Sequence, residues 1–159
     1  MKIAVFSDSH GDHDELRWLA EEIIKEHGPL DGFIHCGDGI NDLEHIQEYL
    51  IKINGPAEFW QVAGNCDYAP HIATWQIIEL EGIKVFVSHG HRFHVKSDLN
   101  EIDQFAADRN CSLILYGHTH IANWEMRSCL LVNPCTTQKG RAALITLADG
   151  HFDAQLLEY

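Results

Sequence analysis

The sequence has few basic residues and no long apolar run. Eleven Lys and Arg residues stand against 24 Asp and Glu, so the formal net charge of the 159-residue chain is −13. A surface of this charge repels nucleic-acid backbones, and we expect no binding of nucleic-acid polymers. No apolar run approaches the roughly 20 residues of a membrane-spanning helix, and the apolar N-terminal run is too short for a signal peptide. The sequence therefore predicts no contact with a membrane and a cytoplasmic location.

The sequence also lacks a regular cysteine pattern, which argues against two classes of small protein. The chain has five cysteines, an odd number, and no C-x-x-C motif. This argues against a zinc knuckle and a disulfide framework, and favours reduced thiols in a cytosol. Internal repeats, low-complexity tracts and linkers are also lacking. We therefore predict one domain, residues 1–159.

The first half of the chain alternates buried strands with amphipathic helices. Apolar residues at Leu16, Leu19, Ala20, Ile23 and Ile24 follow the helical period. Asp12 with Glu15 resembles a capping box, and Gly-Pro pairs end both predicted helices. Predicted strands cover residues 2–6, 32–36 and 58–63, and the helices end at residues 28–29 and 55–56.

The second half is mostly β. Glu81-Gly82 separates strands 74–80 and 83–88, which is a hairpin signal. Asp98 with Glu101 is predicted to cap a third helix. Further strands are expected at residues 112–116, 121–126 and 129–132, followed by a hairpin that turns at residues 149–150. The pattern predicts an α/β sandwich of two packed sheets with helices outside.

Five apolar runs end in a small residue that is followed by a potential metal ligand. The carboxyl ends of strands gather functional sites in α/β sheets. These ends can bring seven side chains to one place: Asp8, His10, Asp38, Asn65, His89, His118 and His120. Nitrogen and oxygen donors without thiolate suit Mn²⁺, Fe, Ni²⁺ or Zn²⁺. Seven ligands are too many for one ion but fit two ions that share a carboxylate.

The spacing within two of these motifs also predicts a local geometry. In Asp8-Ser9-His10 and His118-Thr119-His120 the two ligands are two residues apart. On an extended backbone such residues point to the same side. Glycines at positions 37, 64, 90 and 117 are expected to let the chain turn sharply beneath the ions.

In this order the motifs DSH, GD, GNCD, SHGH and GHTH resemble those of the calcineurin-like metallophosphoesterases. Length and content resemble the small single-domain phosphodiesterase branch, which also contains a retromer subunit used as a scaffold. The resemblance covers roughly residues 1–150 and implies a four-layer α/β/β/α sandwich of two mixed sheets flanked by helices. VNPCT, residues 132–136, resembles the branch's late Asn-Pro loop, although Cys135 stands where glycine is usual.

The resemblance implies a ligand set and a reaction. One ion would be held by Asp8, His10, Asp38 and His120, and the second by Asp38, Asn65, His89 and His118. The implied activity is that of a phosphodiesterase acting on small phosphodiesters, with hydroxide activated by two divalent ions. Mn²⁺ is the first expectation, and Fe, Ni²⁺ and Zn²⁺ stay open because the same donors suit each.

One departure from the family pattern concerns the proton donor. Much of the family has a histidine directly after the metal-binding asparagine, where this chain has Cys66. An unperturbed thiol, with a pKa of about 8.5, protonates an alkoxide less well than imidazolium. His91 is our candidate for a replacement. Asp67, which supports the missing histidine in related sites, is predicted to orient a ligand or water, or to cap a turn.

Two other functions stay open at this level. A scaffold would keep the fold and use its surface for a protein partner, and a phosphomonoesterase would use the same centre. The complete set of seven ligands favours the enzyme, since a scaffold is free to lose them. A homo-oligomer is also open, because Trp60, Trp75 and Trp124 suit either a core or an interface.

Overall fold

The structure, a computed structural model, describes residues 1–159 and contains ten strands and three main helices. The helices are α1 (His13–His27), α2 (Ile40–Asn54) and α3 (Asn100–Ala107). The strands are β1 (Lys2–Phe6), β2 (Gly32–His35), β3 (Glu58–Gln61), β4 (Trp75–Leu80), β5 (Ile83–Ser88), β6 (Leu113–Tyr116), β7 (Asn123–Met126), β8 (Leu130–Asn133), β9 (Arg141–Ala148) and β10 (His151–Glu158). None of the helices combines the length and the apolar character that a membrane crossing requires.

The strands form two mixed sheets of five. The first has the order β10-β9-β1-β2-β3 and the second the order β4-β5-β6-β8-β7. In the first sheet β1 pairs in parallel with β2 and antiparallel with β9, and β2 pairs in parallel with β3. In the second sheet β5, β6 and β8 are parallel, with antiparallel strands at both edges. Parallel neighbours place their carboxyl ends at a common edge, and this later positions the site.

Three apolar cores separate four layers. Alternate residues of β1 face opposite sides, as the strand period of two requires. Ile3 and Val5 enter the core between the two sheets, while Ala4 and Phe6 pack with residues of α1 and α2. A third core joins the outer face of the second sheet to α3. Because β1 is buried on both faces from Ile3 to Phe6, this part of its sequence is a continuous apolar run. The predicted four-layer α/β/β/α sandwich is confirmed.

Several element ends follow the predicted signals. The backbone N–H of Glu15 donates to Asp12 Oδ1 at 3.1 Å, so Asp12 caps α1. The helix ends at Gly28, whose N–H donates to the carbonyl of Ile24. The hairpin between β4 and β5 turns at residues 81–82, as expected. Local backbone chemistry therefore determines these boundaries.

The start of α3 corrects a prediction. Leu99 occupies the N-cap position and its side chain makes no capping hydrogen bond. Asp98 Oδ1 instead accepts from the N–H of Asn100 at 2.8 Å, and Glu101 contacts His94 Nδ1 at 2.9 Å. Asp98 therefore binds a backbone N–H of the first turn, as predicted, whereas Glu101 contacts His94 and does not cap the helix.

Three of the four tryptophans, those considered for an interface, lie in different environments. Trp60 packs against the core between the sheets. Trp75 is 38% exposed and contacts Phe105 and Phe86. Trp124 is 50% exposed, and its indole N–H donates to the carbonyl of Ala154 at 3.0 Å. Two of them are therefore partly accessible, and a homo-oligomer stays a prediction.

Candidate metal centre

Five strand ends meet at one place in the structure. Asp8 and His10 follow β1, Asp38 follows β2, and His89 follows β5. Two groups of close ligand atoms result, each with all atoms within 4.8 Å of one another. The first group consists of Asp8, His10 and His120, and the second of Asp38, His89 and His118. Six of the seven predicted ligands thus lie together, distributed between two groups.

In the first group three ligand atoms converge. His120 Nε2 lies 3.0 Å from Asp8 Oδ1 and 3.1 Å from His10 Nε2. The second oxygen of Asp8 is already engaged, because Oδ2 accepts from Ser7 Oγ at 2.5 Å and from the N–H of His118 at 3.0 Å. Oδ1 is therefore the oxygen that faces the two imidazoles.

In the second group His89 provides the link to the first. Its Nε2 lies 3.3 Å from Asp38 Oδ2 and 3.9 Å from Asp8 Oδ1. Its other nitrogen, Nδ1, lies 2.9 Å from the carbonyl oxygen of Cys36. A carbonyl can only accept, so Nδ1 carries the hydrogen and the lone pair of Nε2 faces the carboxylates. This is the orientation that metal-bound histidines adopt.

Two buried atoms of the centre lack a hydrogen-bond partner. Asp8 Oδ1 and His89 Nε2 belong to fully buried side chains and make no hydrogen bond. Nearly all buried polar atoms in proteins are paired, so unpaired ones require an explanation. A cation would satisfy both atoms, since each offers a lone pair and they face each other. The residues present therefore fit a divalent metal.

The backbone of the ligand loops is left-handed, not extended. The φ angles are 55° at Asp8, 51° at His10, 56° at Asp38, 68° at His118 and 56° at His120. The predicted extended geometry of the DSH and HTH motifs was therefore wrong. Such conformations cost of order 1–3 kcal/mol each in residues other than glycine, and they cluster at functional sites.

Asp67 holds two of these loops together. Its carboxylate accepts from the backbone N–H groups of Asp38 (2.8 Å), Gly39 (2.9 Å), Ile40 (3.4 Å) and Gly64 (2.8 Å). Both oxygens are used, and the bonds join the loop after β2 to the loop after β3. Asp67 therefore positions Asp38, whereas direct participation in catalysis stays a prediction.

A buried network that the sequence did not reveal supports the same loops. Ser9 Oγ donates to Asp42 Oδ2 at 2.6 Å and lies 3.1 Å from His35 Nε2. The N–H of Gly11 donates to Asp42 Oδ2 at 2.9 Å, and the N–H of Gly37 to His35 Nδ1 at 3.1 Å. Burial lowers the pKa of His35 to about 4, so the ring is neutral. The network joins the loop after β1 to the loop after β2.

The late Asn-Pro loop completes the support. Thr136 Oγ1 donates to the carbonyl of Asp8 at 2.7 Å, and Asn133 Nδ2 to that of Gly117 at 3.0 Å. Cys135 has a φ of 76°, which explains why glycine is usual at this position. Its N–H donates to Asn133 Oδ1 at 2.9 Å and its Sγ to the carbonyl of His120 at 3.1 Å. These bonds hold a cysteine in a backbone conformation that favours glycine.

Two glycines are required by close approach within the centre. A Cβ atom at Gly64 would overlap the carboxylate and the backbone nitrogen of Asp38, and one at Gly117 would overlap Ser7 Oγ. Neither has a positive φ, so it is space and not backbone freedom that requires glycine at these positions. The predicted need for glycine at Gly64 and Gly117 is confirmed, for this more specific reason.

Burial and neighbouring charges shift the pKa of three ligands of the centre. Burial, followed by the charge of His89, lowers the pKa of His118 to about 4, so its imidazole is neutral at pH 7. Burial opposes charge on both His89 and Asp38, yet without a metal the attraction across the 3.3 Å contact between them prevails. The pKa of His89 rises and that of Asp38 falls well below its usual range. The Asp38 carboxylate therefore stays ionised, as a metal ligand must be.

Asn65 and Cys66 form the exposed side of the centre. The N–H of Cys66 donates to Asp38 Oδ1 at 2.7 Å, and Asn65 Nδ2 donates to Cys66 Sγ at 3.4 Å. A hydrogen bond to Asp38 raises the pKa of the Cys66 thiol. Cys66 also forms a third group of close ligand atoms with His10 and Asp38. The amide of Asn65 therefore contacts its neighbour, and its predicted role as a metal ligand stays a prediction.

His91 lies beside the second ligand group, next to His89 and His118. Its ring centroid is 5.4 Å from that of His89 and 6.2 Å from that of His118. Its Nδ1 is buried without a partner, and burial together with the charge of His89 lowers its pKa. A cleft of about 490 Å³ opens here, lined by Asn65, Tyr68, His91 and Arg92 among others. His91 thus faces space that a substrate group can enter, and its role as proton donor stays a prediction.

A family model and curated relatives of this chain all describe phosphoesterases. The model of the calcineurin-like phosphoesterase superfamily domain matches residues 1–150. The probable metallophosphoesterase YsnB of Bacillus subtilis is 31% identical over 137 residues, covering 84% of this chain and 73% of its own length. The phosphodiesterase YfcE of Escherichia coli is 28% identical over 114 residues, covering 65% of this chain and 54% of its own.

Solved structures agree with these relatives. A conserved protein from Streptococcus pneumoniae, described as a predicted phosphoesterase, superimposes with a TM-score of 0.74 at 25% identity, covering 99% of this chain and 88% of its own. A Vps29 mutant from Entamoeba histolytica superimposes with a TM-score of 0.73 at 16% identity, covering 100% and 99%. At 16% identity, the similarity to Vps29 concerns the fold alone. Both structures share the fold of this chain over nearly its whole length.

Proposed function

Because the chain belongs to the calcineurin-like phosphoesterase superfamily, we propose that it is a metal-dependent phosphodiesterase acting on small phosphodiesters. The proposal includes a single domain over residues 1–159, a centre of two divalent ions and a cytoplasmic location. The observation that carries it is the pair of ligand groups joined at His89, in which Asp8 Oδ1 and His89 Nε2 lack any other partner. The similarity to the E. coli phosphodiesterase, at 28% identity, supports the choice of a diester.

We assign the ligands in two sets. Asp8, His10 and His120 would hold one ion and His89, His118 and Asn65 the other, with Asp38 shared. When bound, two divalent ions lower the pKa of a water toward 7 and neutralise phosphoryl oxygens. Mn²⁺ is our first candidate, with Fe, Ni²⁺ and Zn²⁺ as alternatives.

The chain's own residues would hold the ligand loops in place and orient the substrate. Asp67 and the Ser9–His35–Asp42 network keep the Asp38 and Asp8 loops in place. His91 would deliver a proton to the leaving oxygen from the wall of the 490 Å³ cleft. Arg92 in the same cleft offers a cation to an anionic substituent. Cys66 borders another cleft, of about 280 Å³, which also contains His10 and Asp38. A phosphodiester has two substituents on phosphorus, and each of the two clefts would hold one of them.

A scaffold is the second candidate, and a particular surface favours it. Ile121, Trp124 and Met126 are 68%, 50% and 60% exposed on and next to the edge strand β7. These apolar side chains directly follow the GHTH motif. A protein partner that covers them would also lie beside the ligand groups.

Hydrolysis of bis-p-nitrophenyl phosphate tests the proposal. Metal-stripped protein is assayed with and without each of the four metals, beside His120→Ala and the matched control His151→Ala, a histidine of β10 far from the ligand groups. We expect metal-dependent release that His120→Ala loses and His151→Ala keeps.

Two outcomes would redirect the proposal. No release with any metal, despite two bound equivalents, would contradict the enzyme and favour the scaffold. Faster release from p-nitrophenyl phosphate than from the bis ester would instead identify a phosphomonoesterase.

A further inference from the structure

The thiol of Cys66 lies where a metal ligand would lie. Its own backbone N–H donates to Asp38 Oδ1 at 2.7 Å, which fixes the position of its Cβ beside the carboxylate. Its Sγ, a nitrogen of His10 and an oxygen of Asp38 are all within 4.8 Å of one another. The side chain is exposed, accepts a weak contact from Asn65 Nδ2 at 3.4 Å and lies against the Asp38 carboxylate. The sulfur can exchange these contacts for a bond to an ion by turning toward it.

Independent atoms indicate that a cation belongs here. Asp8 Oδ1 and His89 Nε2 are on fully buried side chains, lack partners and point into the same centre. His10 is common to two groups of ligand atoms, one with Asp8 and His120 and the other with Asp38 and Cys66. An ion bound through His10 is therefore within reach of Cys66.

We propose that Cys66 binds as a thiolate to the ion that His10 holds, and so gives the centre a preference for thiophilic metals such as Zn²⁺ over Mn²⁺. The inference rests on the metal centre of the proposed function. The thiol loses one proton to solvent as the metal–sulfur bond forms, as coordinating thiols do. Soft thiolate ligands favour zinc, whereas Mn²⁺ favours oxygen.

The geometry requires only a small adjustment. Metal–ligand bonds of about 2.0–2.3 Å place tetrahedral ligands roughly 3.5 Å apart. Rotation about χ1 of an exposed cysteine can close the remaining gap. The proposal differs from proton donation by Cys66, because a sulfur bound to metal has no proton to give.

Cobalt titration of the metal-stripped, reduced protein tests this, with absorbance as the readout. Visible ligand-field bands report Co²⁺ in the centre, and a near-ultraviolet band reports charge transfer from a thiolate. We expect wild type to show both. Cys66→Ser should keep the visible bands and lose the charge-transfer band, while Cys111→Ser, a buried cysteine outside the centre, keeps both. Cys66→Ser should also weaken Zn²⁺ binding at least about tenfold, comparable to known ligand-shell effects, and change Mn²⁺ binding much less.

The outcomes separate this inference from the function on which it rests. Visible bands without charge transfer in wild type would overturn the thiolate and leave the centre intact. A charge-transfer band that survives in Cys66→Ser would also overturn it. If the wild type bound no cobalt at all, both the proposed metal centre and this inference would be wrong. Cadmium NMR of wild type and Cys66→Ser gives a second readout that needs no activity.

Discussion

Replacement of Asp67 by asparagine should destabilise the protein through the loops it joins. The carboxylate makes three well-formed bonds to backbone N–H groups, at 2.8–2.9 Å, and a longer fourth at 3.4 Å. Hydrogen bonds to a charged group contribute about 1.5–3 kcal/mol each. Asparagine keeps one oxygen and presents an amide donor to N–H groups that are donors themselves. At least two bonds are therefore lost.

The expected loss is smaller than the sum of the bonds. Asp67 is partly exposed, so water can replace some of the lost contacts. We expect the free energy of unfolding to fall by about 3 kcal/mol, using the lower values for each bond. For a chain of this size that corresponds to a melting temperature lower by roughly 6–12 °C.

Thermal unfolding in EDTA measures the effect without any contribution from bound metal. Asp12→Asn is the matched control, since Asp12 is exposed and asparagine is an equally good N-cap. Its melting temperature should change by less than about 2 °C. A melting temperature of Asp67→Asn within 2 °C of wild type would show that these bonds do not hold the loops.

Three further predictions concern the centre and its support. Asp38→Ala should abolish binding of both ions because we assign this carboxylate to both of them; two equivalents retained in calorimetric titration would disprove the bridge. Cys66→His should raise activity on esters with poor leaving groups by supplying imidazolium, and an unchanged dependence of rate on leaving-group pKa would contradict this. The pKa of His35 is about 4 in the folded chain against about 6.5 unfolded. Its contribution to stability is complete above pH 6.5 and lost as the pH falls toward 4, by about 3 kcal/mol; urea titrations should show a steeper loss in wild type than in His35→Gln, which keeps the slope due to His118.

The sequence predicted those features that depend on local chemistry. Strand β1 was predicted at residues 2–6, its observed bounds, because an apolar run buried on both faces is hard to mistake. Helix α1 was bounded by an aspartate cap and a glycine stop. Strand β3, in contrast, ends at Gln61 and not at Ala63, because the chain leaves the sheet to enter the ligand loop. The ends of β5 and β6, which also lead into ligand loops, were predicted at their observed residues, Ser88 and Tyr116.

The support of the centre could not be predicted because it connects distant residues. Ser9, His35 and Asp42 belong to three loops or elements with no common motif, and only the parallel pairing of β1 with β2 brings them together. The motifs identified which side chains converge. They did not indicate that the ligands have left-handed backbone, since side-chain types alone carry little information about φ.

The left-handed ligands imply that the metal-free protein stores strain, and His120 allows this to be measured. Its φ is 56°, a conformation that glycine adopts freely. In EDTA, His120→Gly should therefore be more stable than His120→Ala by about 0.5–1 kcal/mol, after the greater unfolded-state freedom of glycine is subtracted. His151, in β10, has no positive φ and should show the opposite order. Urea unfolding of the four variants compares both pairs. If glycine is less stable than alanine at both positions, the loop geometry is unstrained and the ligands do not depend on the surrounding bonds for their conformation.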